Sequence, residues 1–351
     1  MAVATRDAPR TLALRALLTL PNALLRGLAG GGVSYVGGRT LDPRLQLLAS
    51  LAARIPPVSA GTPEDARLAA HKARALLGAA PDPSVRIESM SVRGGDGAIG
   101  ARLYRPAAQS PRAPVLVFAH GGAGVVGGLE DSEALCALLA RFGGGPVLSI
   151  DYRLAPEHRF PAALEDMLAA FAWARSNATR LGAPDGAAAV GGEAMGGALA
   201  TLACARLREA GEPQPALQLL ICPIVDLADD SPSMTTYAGA YPLSRDALDW
   251  SLGHYVGPGD SPADPRLSPL RAADLSGLAP AVIVGAGFDP LSDQGEAYAR
   301  SLAEAGVRVV YRAHDSLAHG FPAFVGVAPA AERACIGAAT LARDLMTEGT
   351  S

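Results

Sequence analysis

Five short apolar runs, APVLVFA, GPVLSID, GAAAVGG, ALQLLICP and PAVIVGAG, recur along the chain with helical patterns between most of them. No other feature restricts the fold as much. A strand that is apolar at nearly every residue must be covered on both faces, and a parallel sheet with helices above and below provides that cover. The segments DSEALCALLARF, PAALEDMLAAFAWARS and MGGALATLACARLREAG carry the apolar spacing of such helices. Ahead of the runs, SVRIESMSV and AIGARLYRP alternate and are joined by RGGDG, which predicts an antiparallel hairpin. VRVVYRA adds a last strand and PAAERACIGAATLARDLM a closing helix. The pattern is that of an α/β fold with eight strands, mostly parallel, flanked by helices.

Two regions fall outside this pattern. The stretch RTLALRALLTLPNALLRGLAGGG is basic and apolar, but Arg15 interrupts it, Pro21 follows, and no clean small-residue cleavage site comes after. No run reaches the roughly 20 apolar residues that span a bilayer, so stable membrane insertion is not expected. One or two amphipathic helices packed on the body are expected instead. The second region, from Asp226 to about Asp264, is rich in Pro, Ser, Gly and Asp around one helical piece, SRDALDWSLGHYV. An insertion of that length suggests a lid or cap. The expected organisation is N-terminal cap helices over 1–60, core over 61–225, cap insertion over 226–265 and core again over 266–351.

The 49% hydrophobic and 18% charged content suffices for a large core, and a net charge of −4 without a basic run gives no footprint for nucleic acid. Cys136, Cys204, Cys222 and Cys335 lie far apart with no CxxC pair, so they read as buried free thiols rather than a metal site or disulfide framework. With no clear signal peptide, a cytoplasmic location is the expectation.

In parallel sheets, ligands bind beyond the carboxyl ends of the strands. Three features fall there. VGGEAMGG places GEAMG, Gly192 to Gly196, between a strand and a helix. This fits G-x-S-x-G with Ala194 where the nucleophile would stand. FAHGGAG sets His120 directly after a strand. The amides of Gly121 and Gly122, with that of Met195 at the helix start, would face the oxygen of a tetrahedral intermediate. Downstream, GFDPLSDQG holds Asp289 and HDSLAHGF ends near His319, so the order is nucleophile, acid, histidine. Asp289 would orient the imidazole and His319 would act as base. The rivals are His314 for the base, and Asp293 or Asp315 for the acid.

AHGGA, DYRLAPEHRFPAALED, VGGEAMGG, GFDPLSDQGEAYARSL and HDSLAHGF closely resemble the hormone-sensitive-lipase-like family of α/β-hydrolase carboxylesterases, from about residue 85 to 345. The resemblance implies an α/β-hydrolase core, a helical cap built from the N-terminal segment and an insertion after the sixth strand, and hydrolysis of short to medium acyl esters. It implies no metal or organic cofactor, a small-molecule ester as partner, and a homodimer paired through the last strand and helix. DYRLAPEHRFPAALED is the most specific stretch, and its role looks structural. Trp250, Tyr255 and Tyr241 are expected to line the cap pocket or to pack within the cap.

Two departures from the family pattern matter. His-Gly-Gly-Gly is here His-Gly-Gly-Ala, with the Ala123 methyl at the loop edge. The larger departure is Ala194 in place of serine, flanked by Glu193 and Met195. One reading is an engineered knock-out of an active esterase; the other is a natural non-catalytic relative that binds ligands. The complete set of surrounding groups favours the first.

Overall fold

The computed structural model describes residues 8–347. Ahead of the main sheet come helices α1 (Ala8–Leu18) and α2 (Asn22–Leu28), a small hairpin of β1 (Tyr35–Val36) and β2 (Arg39–Thr40), and helices α3 (Pro43–Ala52) and α4 (Pro63–Leu77). The basic, apolar stretch expected to form one or two helices holds α1 and α2, and α3 and α4, which follow it, carry start signals of their own. Pro43 follows Asp42, whose carboxylate accepts from the Arg44 amide. Pro63 follows Thr62, which forms a reciprocal capping box with Asp65.

β3 (Val85–Gly94) and β4 (Gly97–Pro106) form the antiparallel hairpin, in register from Val85 opposite Pro106 to Gly94 opposite Gly97. β5 (Val115–Ala119), β6 (Val147–Ile150), β7 (Ala188–Glu193), β8 (Gln218–Ile221), β9 (Ala281–Phe288) and β10 (Val309–Ala318) complete an eight-stranded sheet. Its order is β10-β9-β8-β7-β5-β6-β4-β3, parallel except where β4 meets β6 and β3. Every residue of β6, β8 and β9 is buried, as continuous apolar strands demand.

The connections carry α5 (Glu133–Gly143), α6 (Ala162–Ser176), the single turn α7 (Ala178–Leu181), α8 (Met195–Glu209), α9 (Pro232–Thr236), α10 (Arg245–Tyr255), α11 (Ser292–Glu304) and the C-terminal α12 (Pro329–Thr347). Along β5 the side chains alternate. Val115, Val117 and Ala119 join a core with α6, α8 and α11, while Phe118 joins a second core with α5 and α12. The four cysteines are buried and unpaired. Among the described residues, no helix is long and apolar enough to cross a membrane.

The stretch from Asp151 to Asp166 ties three parts of the molecule together. Asp166, fully buried in α6, accepts from the amides of Gly95 (2.8 Å) and Arg153 (2.9 Å) and from the Arg153 guanidinium Nε (2.9 Å). This anchors the β3–β4 turn. Glu157 takes both terminal nitrogens of Arg67 on α4, at 2.8 and 2.7 Å, and those bonds hold its carboxyl down to about 2. Arg67 also donates to the carbonyls of Val125 (2.9 Å) and Ala155 (2.8 Å), docking the N-terminal region on the core. Arg159 donates to the carbonyls of Gly253 (3.1 Å) and Val256 (2.6 Å), which fixes the end of α10.

Removing one partner of a buried, hydrogen-bonded ion pair leaves the other charge uncompensated. Asp166→Ala is therefore expected to lower unfolding free energy by about 3–5 kcal/mol, read from the urea midpoint. A loss below about 1 kcal/mol, the range of an exposed pair, would contradict this account.

Candidate active site

β7 ends at Glu193 and α8 starts at Met195, so a single residue, Ala194, turns the strand into the helix. Its backbone sits at φ 48°, ψ −112°, a conformation L-residues rarely adopt. Close packing on both sides enforces it. A Cβ on Gly192 would lie 2.2 Å from the Gly196 carbonyl carbon, and one on Gly196 would lie 2.0 Å from the Ala119 oxygen. Strand and helix thus approach more closely than any side chain permits. The Ala194 amide donates to Ile221 O (2.9 Å), and its carbonyl accepts from Ile224 (3.1 Å) and Ala198 (3.1 Å). The Ala194 methyl is almost fully enclosed.

The loop after β5 lies against this turn. His120 is buried, stacks on Tyr152 with ring centres 4.3 Å apart, and places Nδ1 2.7 Å from the Gly121 carbonyl. Burial drives its pKa down to about 4, so the ring is neutral and Nδ1 carries the donated proton. The Tyr152 hydroxyl in turn donates to the His120 carbonyl at 3.0 Å. Gly122 has φ 107°, and a Cβ there would lie 2.0 Å from Val126 O, so the position requires glycine. Ala123 follows with φ 51°, its methyl buried in the loop. Among the described residues, the amides of Gly121, Gly122 and Met195 have no acceptor. For Met195 this follows from its place in the first turn of α8.

Asp289 comes directly after β9. One carboxylate oxygen accepts from the Leu291 amide at 2.8 Å; the other lies 2.9 Å from His319 Nδ1. The pairing of β10 with β9 breaks between His314 and Ala318 and resumes with Ala318 opposite Phe288. Within the break, Asp315 crosses over Gly287, where a Cβ would lie 2.4 Å from the Asp315 oxygen. That bend carries His319 to Asp289.

The rivals are engaged elsewhere. His314 sits edge-on to Phe321 at 5.9 Å, Asp315 pairs with Arg39 at 3.1 Å, and Asp293 accepts from the Ser233 amide at 2.9 Å. Of the expected pocket residues, Tyr255 is core. Its ring fills the space over Gly124 and meets Phe160 at 6.3 Å. Trp250 sits edge-on to His254, and Tyr241 contacts Phe324.

Electrostatics couples these groups. Burial disfavours protonation of His319. The charge and hydrogen bond of Asp289, with a smaller contribution from Glu193, outweigh it and raise the pKa above the ordinary 6.5. The Glu193 side chain lies between the two loops: a Cβ on Gly121 would sit 3.4 Å from its carboxyl carbon, and one on Gly320 3.5 Å from its Oε1. Burial pushes its pKa up to about 7, partly offset by His319.

The structure adds one residue that sequence reading passed over. Cys222, just past β8, has its sulfur within 4.8 Å of a carboxylate oxygen of Asp289 and a ring nitrogen of His319. Its place at the carboxyl end of a strand was the available signal. These three are the one cluster of metal-type ligand atoms among the described residues, and two of those atoms are already joined by the His319–Asp289 hydrogen bond.

Because both carboxylates favour the imidazolium, NMR titration of His319 in this chain should give a midpoint above 6.5. Asp289→Asn should lower it, and Glu193→Gln should lower it by less. A rise with either substitution would contradict the assigned couplings.

The alpha/beta hydrolase fold family matches residues 116–323. The carboxylic ester hydrolase LipN of Mycobacterium tuberculosis is 43% identical over 318 residues, covering 88% of this chain and 84% of that protein. An α/β hydrolase from the metagenome of Lake Arreo, Spain, solved as a serine-to-alanine mutant, superposes with a TM-score of 0.83 at 37% identity, over 88% of this chain and 99% of that one. The esterase rPPE, another serine-to-alanine mutant, solved in complex with (S)-Ac-CPA, superposes at 0.81 with 28% identity, over 87% and 97%. With the fold, the elbow at Ala194 and the extent of these matches in agreement, the chain belongs to the hormone-sensitive-lipase-like family of α/β hydrolases.

Proposed function

We propose that this scaffold is a serine carboxylesterase for short to medium acyl esters, and that the present chain is its nucleophile-deleted form, with Ala194 standing where serine acts. The observation that carries the reading is the 2.9 Å His319–Asp289 contact, set at the same end of the sheet as a strained turn whose residue carries only a methyl. An Ala held at such a backbone position costs on the order of 1–3 kcal/mol. The strain has a use when the side chain is a nucleophile lifted toward a base. Relatives solved with the serine exchanged for alanine, one with a compound bound, support the view that such a change leaves fold and binding intact.

In the serine form, His319 would take the hydroxyl proton as oxygen attacks the ester carbonyl, then return it to the leaving alcohol. Asp289 would hold the ring in the tautomer with Nδ1 protonated. The amides of Gly121, Gly122 and Met195 would receive the oxyanion. Water would then release the acyl group by the same route. The Ala194 chain keeps the binding half of this scheme and lacks the attacking atom.

Losing a triad nucleophile costs around 10⁶-fold in kcat. Ala194→Ser is expected to raise hydrolysis of a short-chain p-nitrophenyl ester by about that factor, with kcat/KM increasing with pH through a midpoint above 6.5. In that background, His319→Ala and Asp289→Asn should each remove most of the activity. A folded Ala194→Ser protein that stays inactive on an ester panel would refute the esterase reading.

A further inference from the structure

The exposed large apolar side chains of the described residues all lie between positions 12 and 68; residues 69–347 expose none. Leu12 is 69% exposed, Tyr35 66% and Ile55 68%. On α2, Leu24 and Leu28 stand four residues apart on one outward face while Leu25 is buried and holds the helix down. The same segment has its own charge: residues 1–68 contain eight Arg and four acidic residues, leaving 22 basic and 30 acidic residues in the rest of the chain. Apolar side chains interleaved with arginine, on helices too short to span a bilayer, are the features of a segment that lies within a headgroup layer. Arg39 and Arg44 are paired with Asp315 and Asp42, and the net positive charge that the segment keeps would oppose a symmetric contact between two copies.

We infer that the N-terminal segment docks the protein on an anionic lipid surface. It inserts Leu and Ile side chains into the headgroup boundary without crossing it. The segment also borders the active site: Arg39 donates to Gly287 O (3.1 Å), the Asp42 amide to Ser316 O (2.9 Å), and Arg67 to Val125 O (2.9 Å). Docking therefore sets the site at the lipid boundary.

Vesicle sedimentation with the chain as it stands tests this. Vesicles containing phosphatidylglycerol should bind at least about tenfold more tightly than pure phosphatidylcholine, and about 0.5 M salt should weaken that binding. The double change Leu24→Glu and Leu28→Glu should abolish it. Circular dichroism, and soluble-ester turnover in the Ala194→Ser background, should be unchanged. Absent binding, equal binding to both vesicles, or binding indifferent to the double change would overturn the inference. So would a solution dimer that the double change dissolves, which would make a second copy the occupant.

A second observation stands apart from the first. Among the described residues, three non-glycine residues have positive φ: Ala123 (51°), Ala194 (48°) and Cys222 (44°). The first two shape the candidate active site. Cys222 is buried, its amide is held by Val284 O at 2.7 Å, and its sulfur faces both Asp289 and His319. Backbone strain of this kind clusters at functional sites. Resting on the esterase reading, we propose that Cys222 is a positioning residue whose thiol steadies the Asp289 carboxylate. Burial, with the charges of Asp289 and Glu193, pushes the thiol pKa well up, so it stays protonated and able to donate. A donor on that carboxylate shares its charge and moderates its pull on the imidazole.

In the Ala194 chain, Cys222→Ala should raise the His319 midpoint measured by NMR by about half a unit, and Cys222→Ser should restore it. In the Ala194→Ser background, the acid limb of kcat/KM should shift upward in step. An unchanged or lowered midpoint with Cys222→Ala would overturn the proposal. If the NMR shift is found while Ala194→Ser is inactive, the positioning role holds and the esterase reading fails.

Discussion

The close approach of β7 to α8 governs the rest of the site. Gly192 and Gly196 leave no room for a side chain between strand and helix, so the turn is completed by one residue held at φ 48°, ψ −112°. Its neighbours follow from that. The Met195 amide is released at a helix N-terminus, the Glu193 carboxylate is pressed between the loops of Gly121 and Gly320, and the Ala119 end of β5 packs against Gly196. A looser turn would move all three together.

Around this turn, acidic and basic groups share a small enclosed volume. His319 is held above its ordinary pKa by Asp289 and Glu193 against the cost of burial, while burial pushes Glu193 up to about 7. Each group's charge therefore depends on the other's, because the low local dielectric strengthens their coupling. His120 shows the opposite outcome. Buried with a carbonyl as its near partner, it stays neutral and serves as a spacer beneath the glycine loop that follows β5.

The stretch from Asp151 to Asp166 explains how a site built from distant segments stays assembled. Asp166 anchors the β3–β4 turn through the Gly95 amide, Glu157 receives α4 through Arg67, and Arg159 fixes α10. Helices α4 and α10 are thus bolted to the loop that leads into α6, next to the loop after β5. The sequence marked this stretch as distinctive and structural; its three partners became visible when the chain was folded.

The order of strands and helices, the elbow at Ala194, the His120 loop and the candidates Asp289 and His319 were legible in the sequence. Each depends on local pattern: continuous apolar runs, glycines at fixed spacing, and side chains just past strand ends. His319 and Asp289 were preferred over His314, Asp293 and Asp315 from chain order alone; what brings that pair to 2.9 Å is a break in β10 that no local signal announces. Helices α3 and α4, the burial of Tyr255 over Gly124 and the place of Cys222 beside Asp289 and His319 were decided by packing. Periodicity records which face a residue turns to the core; which distant residue it meets there is set by how the layers close on one another.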